Sequence, residues 1–209
     1  MSLLSKMRKG VWLLLMRKLA RGPHITRYFL YDHLRAVGRE LPVQAGTILA
    51  ISHSANLCDL LGLTPTEVVE ADYPEHDILS LDFPDASFDY VLSDQVLEHV
   101  AGSPQRAIDE CHRVLRPGGI AVHTTCLLYP AHGSPGDFWR FTPEALSLLH
   151  RDWSRVIDVG GWGNRDVWPL VGDRLLFEGV PHATWHPLHR LATRNDPLWP
   201  IVTWIVAEK

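Results

Sequence analysis

The segment from Phe88 to Cys126 restricts the fold more than any other part of this chain. FDYVLS (Phe88 to Ser93) reads as a short strand carrying aromatic and β-branched residues. A helix follows, with Ser103 at its N-cap and Ala107, Ile108, Cys111, Val114 and Leu115 falling on one face. Pro117-Gly118-Gly119 stops that helix and turns the chain into a second strand, IAVHTTC (Ile120 to Cys126). Strand, amphipathic helix and strand in this order form a crossover unit, and crossovers build parallel sheets. TILAI (Thr47 to Ile51) and EVVEA (Glu67 to Ala71) supply two earlier strands. RVIDVG (Arg155 to Gly160) and WIVAEK (Trp204 to Lys209) are expected to pair as a terminal hairpin. The fold class is therefore α/β, built on a mostly parallel sheet.

Two further helices are marked. One runs from Ile25 to Glu40, with Tyr28, Tyr31, Leu34 and Val37 at helical spacing, and Pro42 ends it. The other opens at Thr142, with Pro143 at the first helical position and Glu144 near the positive end of the dipole. Residues 163–200, rich in Trp, Pro and His, are too long for a plain connection and read as a partly helical insertion or lid. The expected organisation is an N-terminal helical extension over 1–41 and one domain over 42–209, a length that buries an ordinary core.

Composition excludes little. A net charge of -4 gives no global reason to expect a nucleic-acid partner. Cys58, Cys111 and Cys126 fall in no metal or disulfide spacing and read as reduced, buried thiols of a cytoplasmic protein. Residues 1–21 carry Lys6, Arg8, Lys9, Arg17, Lys18 and Arg21 and no acid, around the short apolar run VWLLLM. That run is far below bilayer-spanning length. Leu4, Met7, Val11, Leu14 and Leu15 would share a helix face opposite Lys6, Lys9 and Arg17. Two readings stay open for this helix: it packs on the domain edge, or it lies on an anionic membrane at the inner face. His182, His186 and His189 have metal-like spacing, but Pro181 and Pro187 interrupt the helix they would need, so no metal site is expected there.

The run LDFPDASFDYVLSDQVLEHV, followed by ECHRVLRPGG, resembles the class I S-adenosylmethionine-dependent methyltransferases of the type 11 family. The resemblance spans residues 77–126 and extends more weakly to TILAI and the final hairpin. It implies a Rossmann-like, seven-stranded sheet whose last strand is antiparallel, with S-adenosylmethionine across the C-terminal strand ends. It also implies methyl transfer to a small-molecule or glycan acceptor, O- or N-linked. Carried over by position, Asp72 would accept from the ribose hydroxyls, Asp77 would lie near the adenine amino group, and Ile78 would pack on the ring. Ser93 and Asp94 would line the methionine end. As a turn or cap residue Asp77 has an alternative role, and His99 reads as a structural histidine.

Two departures from the family pattern qualify that reading. Where a G-x-G-x-G loop should follow the first strand, the chain has Ser52-His53-Ser54-Ala55-Asn56. Ser52, Ser54 and Asn56 are the candidate cofactor contacts there, although glycine is the residue that allows positive φ at low cost. Between Asp72 and Asp77 only Tyr73-Pro74-Glu75-His76 remains, so a helix and an edge strand are missing, and Tyr73 is a candidate to stack on the adenine. The chain also resembles a branch of methyltransferase-like proteins, linked to bacterial surface-glycan or natural-product gene sets, that shares these departures. It shares as well the loop PAHGSPGDFWRFT and the element WGNR. In the first of these, His132 is a candidate base, Asp137 would orient it or bind a sugar hydroxyl, and Arg140 would hold an anion. The competing reading is an Asp137–Arg140 salt bridge that only fixes the loop. Asn164 and Arg165 are placed near the same mouth. Loss of the glycines also leaves open a non-catalytic, methyltransferase-like scaffold.

Overall fold

The computed structural model describes residues 19–42, 45–133, 136–170 and 177–209. The basic helix expected over residues 1–21 lies outside them except for its last three positions.

The described elements run β1 (Arg21–His24), α1 (Ile25–Glu40), β2 (Ala45–Ile51), α2 (Asn56–Leu61), β3 (Thr64–Ala71) and β4 (Phe88–Asp94). They continue with a 3-10 turn at Leu97–His99, α3 (Pro104–Val114), β5 (Leu115–Cys126), α4 (Pro143–Leu149) and β6 (Arg155–Trp162). A second 3-10 turn at Trp168–Leu170, β7 (Gly179–Pro181), α5 (Pro187–Thr193) and β8 (Val202–Glu208) complete them.

Six strands form the main sheet, in the order β3-β2-β4-β5-β8-β6. β3, β2, β4 and β5 are parallel, and β8 runs antiparallel between β5 and β6. The sheet is thus mostly parallel with an antiparallel last strand, as the resemblance implies, but β3 is its edge. The strand missing between Asp72 and Asp77 is the one that would lie beyond it. The expected hairpin is an antiparallel pairing of β6 with β8, from Arg155↔Glu208 to Trp162↔Val202.

Side chains alternate across the sheet with the two-residue period of a strand. Ile48, Tyr90, Leu92, Ile120, Val122, Val202, Trp204 and Val206 face a core shared with α1 and α2. Leu49, Val91, Ala121, Ile205 and Ala207 face the other, shared with α3 and α4. On α3 the predicted stripe of Ala107, Ile108, Cys111 and Val114 is wholly buried. All three cysteines are free and buried.

Of the two helix N-caps read from the sequence, one is made by its side chain and the other is not. Thr142 caps α4 by accepting from the Ala145 N–H at 3.0 Å. Ser103 occupies the N-cap of α3 but its side chain makes no cap hydrogen bond; Pro104 at the first position and the Ser103 carbonyl, which accepts from Ala107 N–H at 3.3 Å, serve instead. After α3, β5 begins at once at Leu115, and Pro117-Gly118-Gly119 interrupts its register with β4, Gly118 holding φ +76. α1 crosses α2 so closely that a Cβ on Gly38 would strike the Leu61 carbonyl oxygen, a backbone atom that cannot swing away. Gly38→Ala is therefore expected to cost about 1–3 kcal/mol by overpacking, read as a lower urea midpoint at unchanged slope.

Between β6 and β8, the described elements β7 and α5 pack on α1. β7 pairs antiparallel with β1, and the Tyr28 hydroxyl meets His182 Nδ1 at 3.1 Å and His189 Nδ1 at 3.2 Å. His186 Nδ1 accepts from the Leu188 N–H, so these three histidines are held in structural hydrogen bonds. Asn164 is fully buried, donating to the carbonyls of Leu191 and Arg194 and accepting from the Val167 N–H. It ties this region together rather than facing a site mouth.

Candidate active site

The loop after β2 carries the backbone geometry that glycine normally supplies. Ser52 has φ 51 and His53 φ 62, both in the left-handed region. That conformation costs a residue with a Cβ roughly 1–2 kcal/mol, so the surroundings must hold it. Ser52 N–H donates to Ala71 O at 3.1 Å, and His53 N–H donates to Asp72 Oδ1 at 2.9 Å. Ser54 is fully buried; its hydroxyl donates to Ile51 O and accepts from the Asp94 N–H at 2.8 Å. One serine thus staples the loop to the ends of β2 and β4.

This loop borders a cavity of about 540 Å³ at the C-terminal ends of β2, β3 and β4. The predicted residues Ser52, Asp72, Tyr73, Asp77 and Ile78 all line it, together with His53, His76, Gln95, Val96 and His99. Among the described residues four non-glycine positions have positive φ, and Ser52, His53 and Gln95 of these line the cavity. Strain of this kind persists where structure over-determines it and gathers at ligand sites. Asp77 Oδ1 accepts from the Leu79 N–H at 2.9 Å, so its turn role and its place on the cavity wall coexist. The Asp72 carboxylate faces His53 Nδ1 at 3.0 Å, but that side chain is 83% exposed. A ligand hydroxyl would compete with a solvated imidazole, not with a buried partner.

Ser54, Asn56, Ser93 and Asp94 are not among the lining residues. Asn56 opens α2 and its Nδ2 donates to the Tyr31 hydroxyl at 3.4 Å. Ser93 is buried with its hydroxyl 2.7 Å from His123 Nδ1. Asp94 anchors a polar group behind the cavity: it accepts from Tyr31 Oη at 2.8 Å and from the Thr124 hydroxyl, and lies 3.5 Å from Arg27 Nε. Burial, reinforced by Asp94, pushes the Tyr31 phenol up to about 12, so it stays a donor. Arg27 and Tyr31 were not singled out by sequence reasoning as site residues. Their four-residue spacing on α1 is the only sequence signal, and any helical pair shares it.

The loop after β5 brings His132, Asp137 and Arg140 together. Arg140 grips both carboxylate oxygens of Asp137, whose other partner is the His132 N–H at 2.7 Å. The guanidinium holds the Asp137 carboxyl well below the usual carboxylate range. The salt bridge that fixes the loop is therefore present, and it sets His132 with its ring 5.0 Å from that of His99. Beside them Glu98 is fully buried; Oε2 accepts from the Thr125 hydroxyl at 2.8 Å, while Oε1 has no hydrogen-bond partner among the described residues. Burial raises the Glu98 carboxyl above its ordinary value. Sequence reasoning missed Glu98, because a glutamate normally reads as solvated even beside apolar neighbours such as Leu97.

Residues 36–123 match the family described as a methyltransferase domain. A probable S-adenosylmethionine-dependent methyltransferase of Mycolicibacterium smegmatis is 45% identical over 62 residues, 27% of this chain and 24% of that protein. The chain thus spans about a quarter of the length of that curated relative. Among solved structures, a chain from the complex of the Haloferax volcanii Trm112 methyltransferase activator with a methyltransferase superposes with a TM-score of 0.57. It is 17% identical, covering 86% of this chain and 89% of that one. The [4+2]-cyclase SpnF superposes at 0.54 with 18% identity, over 85% and 80% of the two chains. An S-adenosylmethionine-dependent methyltransferase from Aquifex aeolicus gives 0.51 with 14% identity, over 88% and 92%. At such identities the structures speak for fold alone. The sheet order, the loop after β2 and the family match agree: residues 36–123 match the methyltransferase-domain family, and the chain has the Rossmann-like fold seen in S-adenosylmethionine-dependent methyltransferases.

Proposed function

We propose that the cavity binds S-adenosylmethionine and that the chain methylates a hydroxyl or amine of a small-molecule or glycan acceptor. The observation that carries this reading is the left-handed backbone at Ser52 and His53, kept without glycine and hydrogen-bonded to the Asp72 carboxylate. A chain with no ligand to hold there has no reason to keep that strain. The volume of about 540 Å³ lies in the range of small-molecule sites, and the wall is polar and apolar in nearly equal measure, with Asp72, Asp77 and Gln95 set among Ile51, Ile78 and Val96.

In this reading Asp72 accepts from the ribose hydroxyls, Ile78 packs on the adenine with Tyr73 over it, and Asp77 lies near the exocyclic amine. Ser52 and His53 bring backbone close to the ligand, and Ser54 and Asp94 hold that backbone from behind. When bound, the cofactor supplies a sulfonium-activated methyl group, whose transfer chiefly requires alignment with the acceptor. With no cation bound, His132, 38% exposed and steadied by the Asp137–Arg140 pair, is positioned to take the acceptor proton. Arg140 is committed to Asp137 and thus supports the loop rather than binding an anion. Phe138 and Trp139 are exposed and tied to the segment that lines the cavity at His99 and Val100: their backbone N–H groups donate to Glu98 O, and Trp139 Nε1 donates to Val100 O at 3.0 Å. Flat apolar surface with a polar rim suits a sugar or a planar acceptor. Among the described residues no helix is long and apolar enough to cross a membrane. A cytoplasmic site of action, with residues 1–21 as a basic contact to an anionic membrane surface, belongs to the same proposal.

Equilibrium dialysis with radiolabelled S-adenosylmethionine tests it. Micromolar, saturable binding is the expected result. No binding at millimolar cofactor would overturn the enzymatic reading and leave a methyltransferase-like binding protein.

A further inference from the structure

Glu98, His99 and His132 come from two separate segments, the turn after β4 and the loop after β5, yet their ligand atoms lie within 4.8 Å of one another. The Glu98 side chain is fully buried and its Oε1 is orphaned among the described residues. An unpaired buried carboxylate oxygen costs free energy that a fold does not retain without compensation. Both imidazoles are oriented by their Nδ1 atoms, His99 against Gly136 O and His132 against Pro130 O at 3.2 Å, with Asp137 Oδ2 at 3.5 Å. Histidine ligands of metals are held in this way, the other ring nitrogen being left to the ion. His99 also lines the large cavity, so an ion held here would touch its contents.

We propose that Glu98, His99 and His132 form a binding site for a divalent transition-metal cation at the edge of the cavity, with open coordination positions toward it. Two imidazoles and one carboxylate suit zinc, manganese, iron or cobalt better than magnesium or calcium, which take oxygen donors. Three protein ligands leave room for an exogenous oxygen, as at catalytic metal sites, and a hydroxyl-bearing molecule in the cavity is the ligand class that position would accept. A second trio among the described residues, His53, Glu70 and Asp72, has one imidazole and two carboxylates and lies at the more exposed surface, and among the described residues no orphaned buried atom accompanies it. The site requires no bound cofactor, so its test stands apart from that of methyl transfer.

The test titrates the full, chelator-treated chain with Co2+ and reads ligand-field absorption and heat. One equivalent is expected to bind, and His132→Ala and Glu98→Gln to weaken binding at least about tenfold, an effect of ordinary size for a metal ligand set. His132→Ala removes a partly exposed loop side chain, so it keeps the test decisive if Glu98→Gln fails to fold. His53→Ala is expected to leave binding unchanged. Absence of binding at millimolar Co2+, equal affinity in His132→Ala, or loss confined to His53→Ala would each overturn the proposal.

Discussion

Asp72→Ala is expected to weaken S-adenosylmethionine binding by about 10- to 100-fold while leaving the fold intact. Two effects add. A charge-assisted hydrogen bond to a ribose hydroxyl contributes about 1.5–3 kcal/mol, and truncation removes it. The same carboxylate accepts from the His53 N–H, so the left-handed loop loses the anchor that offsets its strain. Asp72 is partly exposed just after β3 and is not itself part of the buried core, so the thermal midpoint should move little. Isothermal calorimetry beside a melting curve separates the two effects. Unchanged affinity in a folded variant would remove Asp72 from the site.

A second large effect is acid lability above the usual carboxylate range. His150 is 1% exposed; its Nδ1 meets Leu146 O at 2.8 Å and its Nε2 has no partner among the described residues. Burial depresses this imidazole from 6.5 to about 4. His123, 5.5 Å away ring to ring and likewise lacking an Nε2 partner, is driven down by burial and then by its neighbour His150. Between these folded values and 6.5 the unfolded chain binds protons that the folded chain refuses. Stability is therefore full above about pH 6.5 and falls as pH drops toward 4, by on the order of 3 kcal/mol from His150 alone. Glu98, raised by burial, works in the opposite direction over part of this range. Urea midpoints at about pH 7.5 and pH 5 measure the slope. His150→Leu is expected to flatten it, whatever its effect at neutral pH; an unaltered slope would contradict the assignment.

The sequence carried the frame of this fold because its signals there are local. Helix 25–40 coincides with its predicted bounds, and the β4–α3–β5 unit appears with its buried stripe intact. The missing edge strand was legible as a spacing, since four residues between Asp72 and Asp77 cannot hold a helix and a strand. What stayed hidden depends on contacts between distant segments. β1 and β7 pair across the chain with too few residues to show any alternation. Arg27 and Tyr31 reach Asp94 only because α1, distant in sequence, packs on the sheet face whose core includes Tyr90 and Leu92 of β4.

The site was legible by position more than by role. Asp72, Tyr73, Asp77 and Ile78 line the cavity where the family pattern puts them. Ser54 and Ser93, which read as ligand contacts, are turned inward instead, one pinning the loop and the other paired with His123. A serine hydroxyl serves either purpose, and only the rotamer and its neighbours decide. Glycine was expected at the loop because it alone adopts positive φ without penalty. The structure keeps the conformation and replaces the residue, with Ser54 and Asp72 holding what glycine would have left free.

That substitution is the centre of the account, and amide chemical shifts report on it directly. Titrating the labelled protein with S-adenosylhomocysteine should move the backbone N–H signals of Ser52, His53, Tyr73, Ile78 and Gln95 along one saturating curve. Signals from the interior of β8, on the far side of β5, should stay in place. A spectrum unmoved at millimolar ligand, or shifts that avoid Ser52 and His53, would contradict the claim that this glycine-free loop holds the cofactor.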